Sequence, residues 1–187
     1  MSRIGIQPIA VPDSVKINLN QNQIQLTGPK GNINETIPDK INIEQKDKTI
    51  LVTRKLDDQR TKALHGYVRA NLANAIRGVN EGWSKTLSLV GVGFRAVTDS
   101  KKLTLTVGFS HTVDFMAPEG ITFKVSGNNV IVSGISKQLV GETSAMIRRI
   151  KPPEIYKGKG IRYKDEIIKL KPGKAAKTVG GVATGVK

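Results

Sequence analysis

Apolar and polar residues alternate along the first third of the chain, from about Val11 to Val52. A period of two is typical of β-strands that bury one face, so this part is predicted to consist of short strands. Residues 20–22 and 28–31 carry the Asn, Gly and Pro residues that favour hairpin turns. Residues 1–10 are expected to form a short ordered tail. The positions predicted to face inward are Val15, Ile17, Leu19, Ile24, Leu26, Ile33, Ile41, Ile43, Ile50 and Val52.

The period then changes to that of a helix. Apolar residues recur three or four positions apart, at Leu64, Val68, Leu72, Ile76 and Val79. This spacing places them on one face of a helix over about residues 58–79. Asp57 or Asp58 is a suitable N-cap, and Gly78 or Gly82 is a suitable end.

The same pattern begins again 80 positions later. The matched pairs are Gly28 and Gly108, Ile33 and Val113, Pro38 and Pro118, Ile41 and Ile121, Ile43 and Phe123, Ile50 and Val130, and Val52 and Val132. A second helix-spaced set follows, at Leu139, Thr143, Ile147 and Ile150. The chain is therefore interpreted as two copies of one small unit that meet near Glu81–Trp83.

These elements predict an α+β fold: two tandem copies of a small domain, each a mostly antiparallel sheet packed by one helix, plus a basic C-terminal extension. The N-terminal copy is expected over residues 1–82 and the C-terminal copy over residues 83–170. Residues 171–187 are rich in Gly and Lys without periodicity, a composition typical of a tail that is disordered by itself. A unit of about 80 residues is near the lower limit of independent stability, so the two copies are expected to pack together.

Charge is concentrated at the C-terminal end. The 187 residues contain 30 Lys and Arg against 15 Asp and Glu, a net charge of +15. Residues 143–187 hold twelve basic and three acidic residues and so contribute +9. Such a cluster favours a polyanionic partner, nucleic acid above all, whereas the scattered Lys16, Lys30, Lys46 and Arg54 are as readily explained as a solvated surface. The twelve are Arg148, Arg149, Lys151, Lys157, Lys159, Arg162, Lys164, Lys169, Lys171, Lys174, Lys177 and Lys187.

Several classes are disfavoured by composition. The chain has no cysteine, which excludes disulfides and thiolate metal sites. No apolar run reaches the roughly 20 residues that span a bilayer, so no membrane partner is expected. The first residues lack the apolar core of a signal peptide and the composition of a presequence. A cytoplasmic location is predicted, although a copy encoded in an organelle would look the same.

Candidate catalytic groups have plainer explanations. Neither His65 nor His111 has a carboxylate or second His at ligand spacing, so both are interpreted as structural or surface residues. Asp57–Asp58 suits helix capping. Gly91–Phe94 lacks the spacing of a phosphate-binding loop and is interpreted as a Gly-rich strand or bulge. No enzymatic activity, cofactor, metal or small-molecule substrate is predicted.

The stretch Lys151–Lys164 organises the candidate binding surface. It contains five cationic side chains, two tyrosines, two glycines and the pair Pro152–Pro153. The prolines are predicted to end the second helix, the glycines to let the backbone approach another surface, and the tyrosines to contact sugar or base. A loop of this composition suits a phosphate backbone.

Residues Pro153–Tyr163, followed by Lys171–Lys174, resemble the signature near the end of the ribosomal protein L6 (uL6) family of the bacterial type. The resemblance extends over the whole chain, because Met1–Gly5 resembles the family's start and Val90–Ala96 resembles a characteristic mid-chain strand. Ile155 departs from the pattern, since the family commonly has a proline there. Little functional effect of that change is expected.

The resemblance implies a structural protein of the large ribosomal subunit that binds the large (23S-type) rRNA near the stalk base and the sarcin–ricin loop. Neighbouring ribosomal proteins are implied as partners, and translational GTPases dock in the same region. The rRNA contacts carried over from the signature are Tyr156, Lys157, Gly158, Lys159, Gly160, Arg162, Tyr163, Lys171 and Lys174. The charge cluster adds Arg148, Arg149, Lys151, Lys164, Lys169 and Lys177.

Two other classes stay open on the residues alone. A free-standing RNA-binding protein would carry the same basic cluster. An enzyme could use the Gly-rich loop for a nucleotide phosphate, but it would also need an acid, a base or a metal cluster, and none is evident.

Overall fold

The structure, a computed structural model, describes residues 3–20, 23–46 and 48–173. Its first copy opens with two elements that the sequence predicted only as an ordered tail, a short helix and a two-residue strand. The elements of this copy are α1 (Arg3–Ile6), β1 (Ile9–Ala10), β2 (Lys16–Asn20), β3 (Gln23–Gly28), β4 (Gly31–Thr36), β5 (Ile41–Lys46), β6 (Thr49–Arg54) and α2 (Gln59–Asn80).

The strands of the first copy form two antiparallel sheets, ordered β1-β6-β5 and β2-β3-β4. The predicted turn at 28–31 is confirmed, since Gly28 pairs with Gly31. The predicted turn at 20–22 falls largely outside the described residues, and the strands on either side pair as Asn20 with Gln23. Leu19, predicted to face inward, is 40% exposed because β2 is an edge strand.

Helix α2 covers both sheets with the predicted apolar stripe. Asp58 is its N-cap, and the Asp58 carboxylate accepts a hydrogen bond of 3.1 Å from the Thr61 N–H. The helix continues through Gly78, and Gly82, at φ +84°, follows its end. His65 is buried, and its Nε2 donates to the Val52 carbonyl at 2.7 Å, which makes it a core residue. The stripe residues buried in the core are Val68, Leu72, Ile76 and Val79, with Leu64 partly buried.

The second copy repeats this arrangement. Its elements are β7 (Trp83–Val90), β8 (Arg95–Thr98), β9 (Lys102–Thr106), β10 (Val113–Met116), β11 (Ile121–Ser126), β12 (Asn129–Gly134), α3 (Lys137–Ile150) and β13 (Gly160–Tyr163). Strands β11 and β12 begin 80 residues after β5 and β6, so the predicted repeat is confirmed. Helix α3 ends at Ile150, directly before Lys151 and the prolines, as predicted.

The second copy also has two antiparallel sheets, β10-β9-β8 and β11-β12-β7-β13. The fold class is therefore confirmed, with the strands of each copy divided between two sheets. Strand β13 has no counterpart in the first copy's described residues. It pairs with β7 and forms one edge of the larger sheet.

Gly91–Phe94 is a turn between β7 and β8, and the interpretation as a strand or bulge was wrong. The Phe94 N–H donates to the Gly91 carbonyl at 3.4 Å, and Gly93 has φ +76°. The Phe94 ring folds back over two glycines, where an added Cβ would lie 3.0 Å (Gly91) and 3.3 Å (Gly108) from ring carbons. Packing of this ring therefore decides the local conformation.

The two copies pack together through Trp83. Arg77 and Lys137 each place a cationic group 4.8 Å from the centre of the indole ring. The Trp83 Nε1 donates to the Asn74 carbonyl at 3.0 Å, and Lys137 donates to the Asn74 side chain at 3.1 Å. At Gly78 an added Cβ would overlap the carbonyl oxygen of Ile135. Contacts of this kind hold α2 of one copy against the start of α3 in the other.

Candidate nucleic-acid interface

The basic stretch folds into a closed loop followed by an edge strand. The Ile161 N–H donates to the Lys151 carbonyl at 2.8 Å, which closes the loop at its base. Nearer the tip, the Glu154 N–H donates to the Lys159 carbonyl at 2.8 Å. Residues 160–163, the last four of the predicted loop before Lys164, form strand β13. Ile161 of this strand is fully buried and pairs with Leu89 of β7.

The two glycines of the loop are both buried within the protein. Gly158 has φ +68°, a left-handed conformation that favours glycine. An added Cβ on Gly160 would lie 2.6 Å from the Pro152 carbonyl oxygen and 2.6 Å from the Pro153 Cα. From the sequence, these glycines are predicted to let the backbone approach another surface, whereas the chain's own packing already requires glycine at residue 160.

The tip of the loop presents aromatic and cationic side chains to solvent. Tyr156 is 54% exposed, and Lys157 and Lys159 are exposed beside it. Within the described residues, six exposed cations of this region form no ion pair: Arg149, Lys157, Lys159, Lys164, Lys169 and Lys171. In the first copy, by contrast, acidic partners neutralise Lys40, Lys48, Arg54, Lys62 and Arg77. Exposed cations without an ion pair also occur in the described part of the first copy, Lys16 and Lys46 among them. Around the loop, however, six of them fall within residues 149–171.

Arg148, a predicted contact, is partly buried and paired with Glu166. Its Nε donates to Glu166 Oε2 at 2.9 Å, and its Nη2 forms a second, shorter hydrogen bond to Oε1. The same Oε2 accepts the Tyr163 N–H at 3.1 Å. These hydrogen bonds, that of Arg148 foremost, lower the pKa of the Glu166 carboxyl, while Glu166 raises the pKa of Arg148. This position makes Arg148 a residue that shapes the loop.

Tyr163 and Arg162 lie on opposite faces of β13. The Tyr163 ring is half-buried against the second core, with Lys85 and Arg148 each 5.8 Å from its centre. Arg162 pairs with Ser88 on the other face and is also half-buried. Its Nε is buried and has no hydrogen-bond partner among the described residues. Both side chains are less accessible than Tyr156 and Lys157.

The remaining predicted residues border the loop or lie outside the described part of the chain. The Lys151 ammonium lies 4.8 Å from the centre of the Phe109 ring. The Lys171 N–H donates to the Ile155 carbonyl at 2.9 Å, so the start of the tail runs beside the tip. Lys174 and Lys177 fall outside the described residues.

Sequence reasoning did not single out Glu166, Lys85 or Phe109. In the sequence, Glu166 is only one of three acidic residues in a basic segment. Lys85 and Phe109 belong to β7 and to the connection between β9 and β10, far from the loop in sequence. Only the pairing of β13 with β7 and the folding of the second copy bring them together.

Comparison with known proteins identifies the family. The sequence model of the family described as Ribosomal protein L6 matches residues 11–82 and 90–164. The large ribosomal subunit protein uL6 of Lactobacillus gasseri is 51% identical over 178 residues, which cover 95% of this chain and 100% of that protein. The chain belongs to the ribosomal protein L6 family. Relatives of the same name from Rippkaea orientalis and Thermoanaerobacter are each 47% identical, over 95% of this chain and 99% of their own length.

Membership of the L6 family agrees with the duplication seen in the structure. The two matched segments fall in the two structural copies, and L6 proteins are structural and not enzymatic. Among the described residues, no three His, Asp or Glu side chains are placed to hold a metal ion. None of the helices in the described ranges is long and apolar enough to cross a membrane.

Proposed function

We propose that this chain is a structural constituent of the large ribosomal subunit. One observation carries the proposal: the chain aligns over 95% of its length with nearly complete proteins that are named large ribosomal subunit protein uL6. A free-standing RNA-binding protein, the alternative, would need no such end-to-end similarity.

The partner that we propose is the large-subunit rRNA, bound by the closed loop and the cations around it. Support comes from the six exposed cations without ion pairs and from Tyr156 at the tip. Each cation that neutralises a phosphate releases counterions, which makes binding favourable and dependent on salt. The rigid loop recognises RNA by the arrangement of its phosphates, because phosphates carry no sequence information.

The position proposed within the subunit follows from the resemblance of the loop to the L6 signature. It is the region of the stalk base and the sarcin–ricin loop, with neighbouring ribosomal proteins and translational GTPases as further partners. The proposed location is the cytoplasm, within the ribosome. Lys174 and Lys177 extend the proposed rRNA contact along the tail.

Incorporation into large subunits tests the proposal. The double variant Lys157→Ala/Lys159→Ala removes two exposed charges at the tip. The matched control, Lys16→Ala/Lys46→Ala, removes two exposed lysines of the first copy that form no ion pair in the described structure. Tagged chains expressed in cells are located on sucrose gradients. We expect the tip variant to be depleted from large subunits and the control to enter them normally.

Two results would contradict the proposal. Equal incorporation of both variants would exclude the loop as the main contact. Absence of the wild-type chain from large subunits at moderate salt would favour the free-standing RNA-binding protein instead.

A further inference from the structure

A second surface element lies beside the closed loop. The connection between β9 and β10 carries Phe109 and His111, whose rings are stacked with centres 5.9 Å apart and planes 13° apart. Phe109 is 38% exposed, and His111 is exposed as well. A pair of stacked rings on the surface presents a flat face to solvent.

The ring pair is continuous with the closed loop. The Lys151 ammonium lies 4.8 Å from the centre of the Phe109 ring. A groove beside this contact is lined by Phe94, Val107, Gly108, Lys151, Pro152, Glu154 and Lys159. Phe109 directly follows Gly108 of the groove lining and contacts Lys151, so the ring pair adjoins the groove that Lys151 and Lys159 line.

The phenylalanines of the second copy differ in whether they pack in its core. The chain has only four phenylalanines. Phe115 and Phe123 pack edge to face in the second core, with ring centres 6.1 Å apart. Phe94 lines the groove but also packs against that core, whereas Phe109 is outside the core cluster, is 38% exposed and contacts Lys151. Aromatic side chains that are left on a basic surface are typical of proteins that stack unpaired bases.

We propose that the Phe109–His111 ring pair is a stacking site for an unpaired nucleotide of the bound RNA. The base stacks on the exposed ring of His111, and the adjoining phosphates meet Lys151 and Lys159. This inference rests on the proposed rRNA binding and adds a base contact to it. The positive charge around the groove favours a nucleotide over an apolar protein segment, which would leave those ammonium groups without a partner.

Filter binding of the full chain to a transcript of large-subunit rRNA tests the inference, with salt varied. His111→Ala removes the ring, His111→Phe keeps a ring without a titratable group, and Lys159→Ala removes one charge. We expect His111→Ala to weaken binding about five- to 150-fold, the range measured for one stacked base. His111→Phe should bind as wild type does. His111 is exposed, so unfolding curves should be the same for all three.

Salt dependence separates stacking from charge. For His111→Ala, the slope of log affinity against log salt should equal that of wild type, because no phosphate contact is lost. For Lys159→Ala the slope should become shallower by roughly 0.7 to 0.9. A shallower slope for His111→Ala, or loss of binding by His111→Phe as well, would overturn the stacking site.

The two proposals fail in different ways. If wild type binds the transcript and His111→Ala binds it equally well, the stacking site is wrong and rRNA binding stands. If wild type does not bind, both are wrong. If His111→Ala binds RNA normally but fails to enter large subunits, the ring pair contacts a protein instead, which also overturns the inference.

Discussion

Arg148, in the last turn of α3, holds Glu166 by two hydrogen bonds, although β13 lies between them in sequence. Glu166 also accepts the backbone N–H of Tyr163. One carboxylate thus connects the end of a helix, an edge strand and the turn that follows the strand. The pair is largely shielded, with side chains 31% and 23% exposed, so it is less screened by water than a fully exposed ion pair.

Glu166→Gln should destabilise the protein. The substitution leaves the Arg148 guanidinium partly shielded without its charge partner, so we expect a loss of about 1–2 kcal/mol in the free energy of unfolding. Denaturant unfolding followed by circular dichroism measures it. Glu154→Gln is the matched control, since Glu154 is exposed and its side chain forms no ion pair in the described structure. A control as unstable as Glu166→Gln would show a general charge effect instead.

Acidification should remove this contribution. The hydrogen bonds from Arg148 and from the Tyr163 backbone lower the pKa of Glu166 from its ordinary value of 4.5. A carboxyl whose pKa is lower in the folded state contributes stability that is fully present above its unfolded pKa. That stability is lost as pH falls through the folded pKa. The difference in unfolding free energy between wild type and Glu166→Gln should therefore shrink steadily below pH 4.5. A difference that stays constant down to pH 3 or lower would contradict the ion pair.

Gly160→Ala should be strongly destabilising. The residue has φ +145°, and its Cβ would approach the backbone of Pro152 and Pro153 to 2.6 Å. Conformational strain of about 1–3 kcal/mol adds to this overlap, so we expect a loss of at least about 2 kcal/mol in unfolding free energy. Gly141→Ala in α3 is the control, because no described atom beyond its own helix lies within 4 Å of its Cβ position. That variant should gain about 0.4–1 kcal/mol.

Trp83→Ala should weaken the junction between the copies. It removes two cation–π contacts and the hydrogen bond to Asn74. We expect a loss of about 2–3 kcal/mol, below the range for a fully buried tryptophan, and faster cleavage near Gly82 in limited proteolysis. Tyr67→Ala removes an aromatic ring that is 63% exposed on α2 and should change stability by less than about 0.5 kcal/mol. Unchanged proteolysis of Trp83→Ala would mean that other contacts hold the copies.

The salt dependence of rRNA binding should report the number of phosphate contacts. Six exposed cations around the loop give an expected slope of log affinity against log salt of roughly −4 on single-stranded or irregular RNA. Lys157→Ala/Lys159→Ala should make the slope shallower by about 1.4. Lys16→Ala/Lys46→Ala should leave it unchanged. Filter binding at several salt concentrations measures all three, and equal slopes would exclude the two tip lysines as phosphate contacts.

Most of the fold could be predicted because its signals are local or repeated. Alternation and helical spacing identified the strands and the two helices, and the matched residues Gly28–Gly108 and Pro38–Pro118 identified the duplication. Strand β13 was not predicted, because its four residues include a glycine and an arginine and show no clear alternation of apolar and polar positions. Its strand conformation depends on β7, some 70 residues earlier in the sequence.

The candidate site could be predicted as a region but not in the roles of its members. The cluster of basic residues and the resemblance to the L6 signature locate the loop. Neither distinguishes Arg148 from Lys157, since both are cations. Only the structure shows that Glu166 neutralises Arg148 while Lys157 stays exposed. Likewise, the sequence shows a glycine at residue 160, but only the structure shows that Pro152 leaves no room there for a Cβ. Long-range packing distinguishes these residues, and it leaves no trace in local composition.

The contacts of Trp83 have an entropic consequence for assembly. The side chain joins α2 of one copy to α3 of the other, so these contacts favour one orientation of the copies. A partner that meets the first copy after the second is bound therefore finds a surface whose orientation is already set. The rotational entropy of that surface is lost in the first binding event. The second binding event therefore does not lose it again.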